Sequence, residues 1–148
     1  MNIFEKLFAQ TEIPKLYPVH FTLPRGTIKR AEIEALLFGE FAEKRLDCQI
    51  RPGMSVAIAV GSREITNLAE IVKTVVEFVK RSGGIPFIFP AMGSHGGAAA
   101  KGQLEVLSGY GVTEAAMGCP IRSSMETVQI STTAGGLPVH IDKDADEA

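Results

Sequence analysis

The sequence predicts an α/β fold, a mostly parallel sheet lying between layers of helices. Three observations carry that prediction. Residues 54–60 (MSVAIAV) and 85–90 (IPFIFP) are short apolar runs without polar alternation, the pattern of strands covered on both faces. Each run ends in a loop of small and polar residues, and each loop leads into a segment with apolar residues at helical spacing. A strand, a loop and a helix occurring twice in succession favour crossover connections and parallel pairing. The expected architecture is one Rossmann-like three-layer domain over residues 1–148.

In chain order, Leu16, Val19, Phe21 and Leu23 suit a short strand, broken by Pro18 and closed by Pro24-Arg25-Gly26; proline confines it to an edge. After Thr27, the residues Ile33, Leu36, Leu37 and Phe41 mark one helix face, with Glu32, Glu34, Glu40 and Glu43 off it. Arg51-Pro52-Gly53 is turn chemistry that delivers the chain into the first apolar run. The loop 61–67 follows, with Asn67 as expected N-cap of a helix marked by Leu68, Ile71, Val72, Val75, Val76 and Val79. Gly83 and Gly84 end that helix, the second apolar run follows, and the loop 91–97 (AMGSHGG) precedes a helix over 98–107. A short helix is expected within 112–118, and strands over 127–131 and 137–141 form a hairpin across Ala134-Gly135-Gly136. The acidic stretch 142–148 reads as a boundary without a closing element.

A chain of 148 residues is ordinary for one domain and long enough for a core without staples. Fifteen basic and seventeen acidic residues leave a formal charge of -2, so no global field gathers nucleic acid or anionic membrane. Cys48 and Cys119 have neither CxxC spacing nor neighbouring histidines, which speaks against a disulfide framework or a zinc site. Glu5, Lys6 and Glu12 interrupt the apolar residues of the N-terminal segment, and no window resembles a membrane span; a cytoplasmic location is expected.

Ligands of open α/β sheets bind beyond the carboxyl ends of the strands, where loops converge and helix N-termini present free amides. Two loops qualify. One offers Ser62 and Arg63, and the other offers Ser94 and His95 among Gly93, Gly96 and Gly97, where a ligand can approach the backbone. Neither nucleotide-loop template fits. His95 stands where GxGxxG needs its second glycine, and Lys101 is preceded by Ala100 and followed by Gly102 where the Walker pattern needs Gly-Lys-Ser/Thr. A general cradle for a small carboxylate or phosphate survives, beside the plainer reading that Gly96 and Gly97 only make a tight turn and let the helix pack closely. His95 reads either as a loop histidine without a task or as a general acid or base, since histidines as a class titrate near neutral pH. Arg63 reads as a solvated charge or as a fork for a carboxylate, and its place at a strand end favours the fork. Arg122 is a weaker candidate with a surface role, and His20 and His140 read as structural histidines in apolar surroundings.

Three stretches carry a resemblance: AVGSR at 59–63, PAMGSHGGAAAKGQLEVLSGYGVTEAAMGCPIRSS at 90–124, and GLPVHID at 136–142. The chain from about residue 56 resembles the N-terminal domain of the nickel-pincer lactate racemase family. The resemblance implies the first lobe of a two-lobe enzyme that racemises or epimerises small 2-hydroxy acids in the cleft between two α/β domains. It implies a nickel-pincer nucleotide as cofactor, His95 as the base on the substrate hydroxyl, Arg63 with Ser62 and Ser94 holding substrate, and Gly93, Gly96 and Gly97 bordering the cofactor. Gly61 and Gly96 stand where the lactate enzyme carries acidic or bulkier residues, which argues against lactate itself. The family's cofactor-tethering lysine, metal-binding histidine and second catalytic histidine lie downstream of the stretch matched here. The chain alone is therefore expected neither to hold nickel tightly nor to racemise, and an open domain face is expected to favour self-association. The alternative that stays open is a non-catalytic binding domain for small anions.

Overall fold

The computed structural model describes residues 15–22, 28–63 and 65–148. Its elements are α1 (Ile33–Glu43), β1 (Ser55–Val60), α2 (Leu68–Arg81), β2 (Ile85–Pro90), α3 (Ala100–Gly109), α4 (Glu114–Met117), β3 (Thr127–Thr132), β4 (Pro138–Asp142) and α5 (Lys143–Asp146), with 3-10 turns at Arg30–Glu32, Leu46–Gln49 and His95–Ala98. The turn at Pro24-Arg25-Gly26, Thr27 and the segment 1–14 lie outside the described residues. Among the described residues no helix is long and apolar enough to cross a membrane.

The fold is mixed α/β. β1 and β2 pair in parallel from Ser55↔Ile85 to Val60↔Pro90 and are joined by α2, the expected crossover unit. Ile121 adds a one-residue parallel bridge on the far side of β2, where Ile88 donates to the Pro120 carbonyl and Arg122 to the Ile88 carbonyl. β3 and β4 form a separate antiparallel hairpin with a register shift between Gln129 and Ser131.

The core lies on one face of the parallel pair. Val60 and Ile88 pack with Leu68, Val72 and Val76 of α2, Leu107 of α3, Met117 of α4, and Met92, Val112 and Cys119 between them. Ile58 and Val60 share that face because strand side chains alternate. The opposite face carries Ala59, which is exposed, and Phe87, which is buried beneath the Arg122 guanidinium at 4.2 Å from the ring centroid. Residues 54–58 are only half-buried, so β1 is not the doubly covered strand that its continuous apolar run predicts.

α1 packs on α2 chiefly through aromatic rings, with Phe38 and Phe41 at 5.9 and 4.5 Å from the Phe78 ring. Ile33 is buried, yet Leu36, assigned to the same face by its spacing, is 48% exposed. Asn67 occupies the N-cap position of α2 in a left-handed conformation (φ 59°), and its side chain makes no capping bond; the helix opens instead with Ile71 donating to the Asn67 carbonyl at 3.1 Å. At the other end of the core, Lys73 and Lys80 of α2 donate to the Met117 and Gly118 carbonyls at 3.2 and 2.6 Å, meeting the unsatisfied C-terminal end of α4.

Two expectations fail at the chain's margins. Residues 15–22 form no strand: Leu16, Tyr17, Val19 and Phe21 are each more than two-thirds exposed, and none of the described strands pairs with the segment. The acidic stretch does contain a closing element. The Asp142 carboxylate accepts from the Asp144 and Ala145 amides at 2.9 and 3.3 Å and starts α5.

Candidate functional site

Because β1 and β2 are parallel and end opposite one another at Val60 and Pro90, their following loops leave the sheet side by side. Ala91 extends the pairing by donating to the Val60 carbonyl at 2.9 Å. Ser62 lies two residues beyond β1 and His95 five beyond β2, and the loops bring Ser62 Oγ to 2.5 Å from His95 Nδ1. Ser62 is buried, at 7% exposure, while His95 is half-buried.

The glycine loop is held by α3 and by its own backbone. Gln103 of α3, itself buried, donates from Nε2 to the Gly93 carbonyl at 2.9 Å. Gly96 lies on the first turn of α3 so closely that a Cβ there would fall 2.3 Å from the Gly102 carbonyl carbon. Within the loop, His95 donates to the Met92 carbonyl at 3.3 Å and Ala98 to the Ser94 carbonyl at 3.1 Å. Gly96, Gly97 and Ala98 are consecutively left-handed, at φ 63°, 68° and 52°. Only glycine takes that conformation freely, so Ala98 costs about 1 to 2 kcal/mol, offset by the contacts that fix the loop.

Ser62 and His95 are thus brought together. Arg63 and Ser94 are each adjacent in sequence to one of that pair and exposed. Gly93 and Gly97 face open space where a side chain would be, whereas the side-chain space of Gly96 is taken by the backbone of α3. Arg122 is occupied elsewhere, stacked on Phe87 and 3.6 Å from Asp144. His140 is exposed on β4 with Nδ1 3.1 Å from Thr127 Oγ1, and His20 lies in the exposed segment 15–22.

Sequence reading missed Gln103 and Gly102. The signal for Gln103 was a polar residue four positions before the buried Leu107, on the core-facing side of α3. Gly102 was noticed only as a departure from the nucleotide-loop pattern, although a glycine in a first helical turn beside a glycine loop is the mark of close backbone approach.

No family model, curated protein or solved structure matches the chain. The function is therefore argued from the geometry. A groove of about 400 Å³ runs from Pro90 to Gly93 along the base of the hairpin, with Gln103, Thr127, His140 and Asp142 in its wall, and it borders the glycine loop at Met92 and Gly93. A second hollow of about 410 Å³, between α1 and the start of α2, is lined by Ile28, Ile33, Leu36, Leu37, Thr66, Asn67 and Ile71 and carries no titratable group.

Among the described residues no three His, Cys, Asp or Glu side chains gather as a metal site would require. Of the glycines at the loop pair expected to border a cofactor, Gly93 and Gly97 have open side-chain space, and Gly96 has that space filled by the backbone of α3. The residues of the loop pair provide a histidine with one ring nitrogen engaged by Ser62, an exposed arginine next to that serine in sequence, and a small-residue loop held against α3.

Proposed function

We propose that this chain is the substrate-binding, acid–base lobe of a 2-hydroxy acid racemase or epimerase, with the nickel-pincer nucleotide held by a second lobe. The observation that carries the reading is the meeting of Ser62 and His95 at the carboxyl ends of two parallel strands. A half-buried histidine fixed at one ring nitrogen by Ser62, with the exposed Arg63 next to that serine in sequence, suits a substrate with a hydroxyl to deprotonate and a carboxylate to clamp. His95 removes the hydroxyl proton and returns it, and Arg63 holds the carboxylate. The β1–α2–β2 unit is, on this reading, the nucleus of a Rossmann-like three-layer sheet.

One observation favours the non-catalytic reading, a binding domain for small carboxylates or phosphate. α3 begins directly after the glycine loop with no side chain capping its first turn. Titrating the chain with both enantiomers of malate and mandelate, with succinate and phenylacetate as counterparts lacking the hydroxyl, and with inorganic phosphate separates the two. The racemase reading expects the His95 ring signals to respond to either hand of the hydroxy acids at least about tenfold more strongly than to the counterparts, one good hydrogen bond being worth about 1.4 kcal/mol. Equal response to all carboxylates and to phosphate would replace it with the anion-binding domain. In an assembled two-lobe enzyme, His95→Gln lowers turnover about 100-fold or more.

A further inference from the structure

Ser62 and His95 form a hydrogen-bonded pair that admits two chemistries. In one, Ser62 is a nucleophile and His95 its base; in the other, Ser62 orients His95. Burial separates them. Ser62 is buried, at 7% exposure, whereas His95 is half-buried, so the histidine rather than the serine is the member of the pair open to a ligand. Among the described residues, Nδ1 is bonded to Ser62 and no partner is found for Nε2.

We infer that Ser62 is a positioning residue whose oxygen accepts the Nδ1–H of neutral His95 and so keeps the lone pair on Nε2, the nitrogen that meets the substrate hydroxyl. The inference rests on the acid–base role proposed for His95. Which imidazole nitrogen carries the proton is set by the hydrogen bond that the other makes. With Nδ1–H directed at Ser62 Oγ, Nε2 accepts the substrate proton: the substrate O–H bond breaks, its electron pair stays on oxygen, and an N–H bond forms at Nε2. The imidazolium keeps its Nδ1–H on Ser62, so the ring need not turn in either protonation state. A Ser62 hydroxyl donating to Nδ1 would instead leave the proton on Nε2, which could then accept none.

The loop contacts belong to the same device. Gln103 on the Gly93 carbonyl and Gly96 against Gly102 fix the backbone on both sides of His95, so the ring reaches Ser62 without a search among loop conformers.

The test is the tautomer of His95, read from long-range proton–nitrogen NMR correlations of the 148-residue chain at a pH where the ring is neutral. The wild-type ring is expected to carry its proton on Nδ1. Ser62→Ala is expected to move it predominantly to Nε2, and Ser62→Thr, which keeps the hydroxyl, to restore it. Backbone amide spectra check that each variant folds, and if Ser62→Ala does not fold, the wild-type tautomer decides alone. A wild-type ring protonated on Nε2, or a tautomer indifferent to Ser62→Ala, overturns the inference. So does acetylation of Ser62 by p-nitrophenyl acetate, located by peptide mass mapping, because it would show a nucleophile. Failure here leaves the hydroxy acid titration standing. Failure of that titration with the Nδ1–H tautomer intact removes the enzyme reading and not the pairing.

Discussion

Gly102, in the first turn of α3, lies against Gly96 so tightly that a Cβ on Gly102 would sit 1.9 Å from the Gly96 carbonyl oxygen. Neither residue has room for a methyl group, and the atoms in the way are backbone. Replacing a helical glycine by alanine ordinarily stabilises by up to about 1 kcal/mol. Overpacking a tight site costs about 1 to 3 kcal/mol. The second effect dominates at Gly102, so Gly102→Ala is expected to destabilise the chain by about 1 to 2 kcal/mol in urea unfolding. Gly109 in the same helix has nothing within 4 Å of its would-be Cβ, and Gly109→Ala is expected to be neutral or stabilising. Equal effects at the two positions would contradict the contact.

Gln103 sits on the buried side of α3 to hold a loop carbonyl rather than to fill volume. Gln103→Met keeps most of the side chain's size and removes the donor to the carbonyl of the exposed Gly93, which costs about 0.5 to 1.5 kcal/mol. The loss is local. Amide exchange in residues 93–98 is expected to accelerate more than in α2, whose contacts with β2 and α4 do not involve Gln103. Uniform acceleration across the chain would show that Gln103 supports the core and not the loop.

The parts of this fold that sequence revealed are those fixed by local periodicity. The spacing of Leu68, Val72, Val76 and Val79 specifies the buried stripe of α2, and the two apolar runs specify parallel strands joined by it. The number of layers is a different matter. The run 54–60 looks alike whether one face or both are covered, and Ala59 is exposed. The same limit applies to 15–22, where alternation marks a residue pattern that suits a strand but supplies no edge to pair with. At the site, strand ends pointed to Ser62 and His95 separately. Their contact, like that of Gly96 with Gly102, depends on how two loops and a helix meet, which no local pattern encodes.

The two thiols should differ sharply in reactivity. Cys48 is exposed. Cys119 lies in the core, and burial raises its pKa above the ordinary thiol value, against a smaller lowering by Lys80 and Lys73. The thiolate is the reactive form, so burial and the raised pKa act in the same direction. Iodoacetamide at neutral pH is expected to alkylate Cys48 alone in the native chain and both cysteines in urea, as counted by mass. Alkylation of Cys119 at a comparable native rate would mean that the α4 end of the core opens readily.

The hairpin base should respond to pH through Glu126 and Lys143, which lie 2.8 Å apart and join the approach to β3 to the start of α5. The hydrogen bond and charge of Lys143 lower the Glu126 pKa, and those of Glu126 raise the Lys143 pKa. For the carboxylate, a lowered folded pKa means a contribution present above its unfolded value and lost as pH falls through the folded one. For the lysine, a raised folded pKa means a contribution present below its unfolded value and lost as pH rises through the folded one. Support is therefore greatest between the ordinary carboxylate and lysine ranges and fades on either side. Both groups are exposed, so salt screens the pair and its effect is small. Amide exchange in β3, β4 and α5, corrected for the intrinsic rate, is expected to quicken on acidification through the Glu126 titration, and Glu126→Gln is expected to abolish most of that pH dependence. Unchanged dependence in the variant would show that the Glu126–Lys143 pair does not carry the acid response.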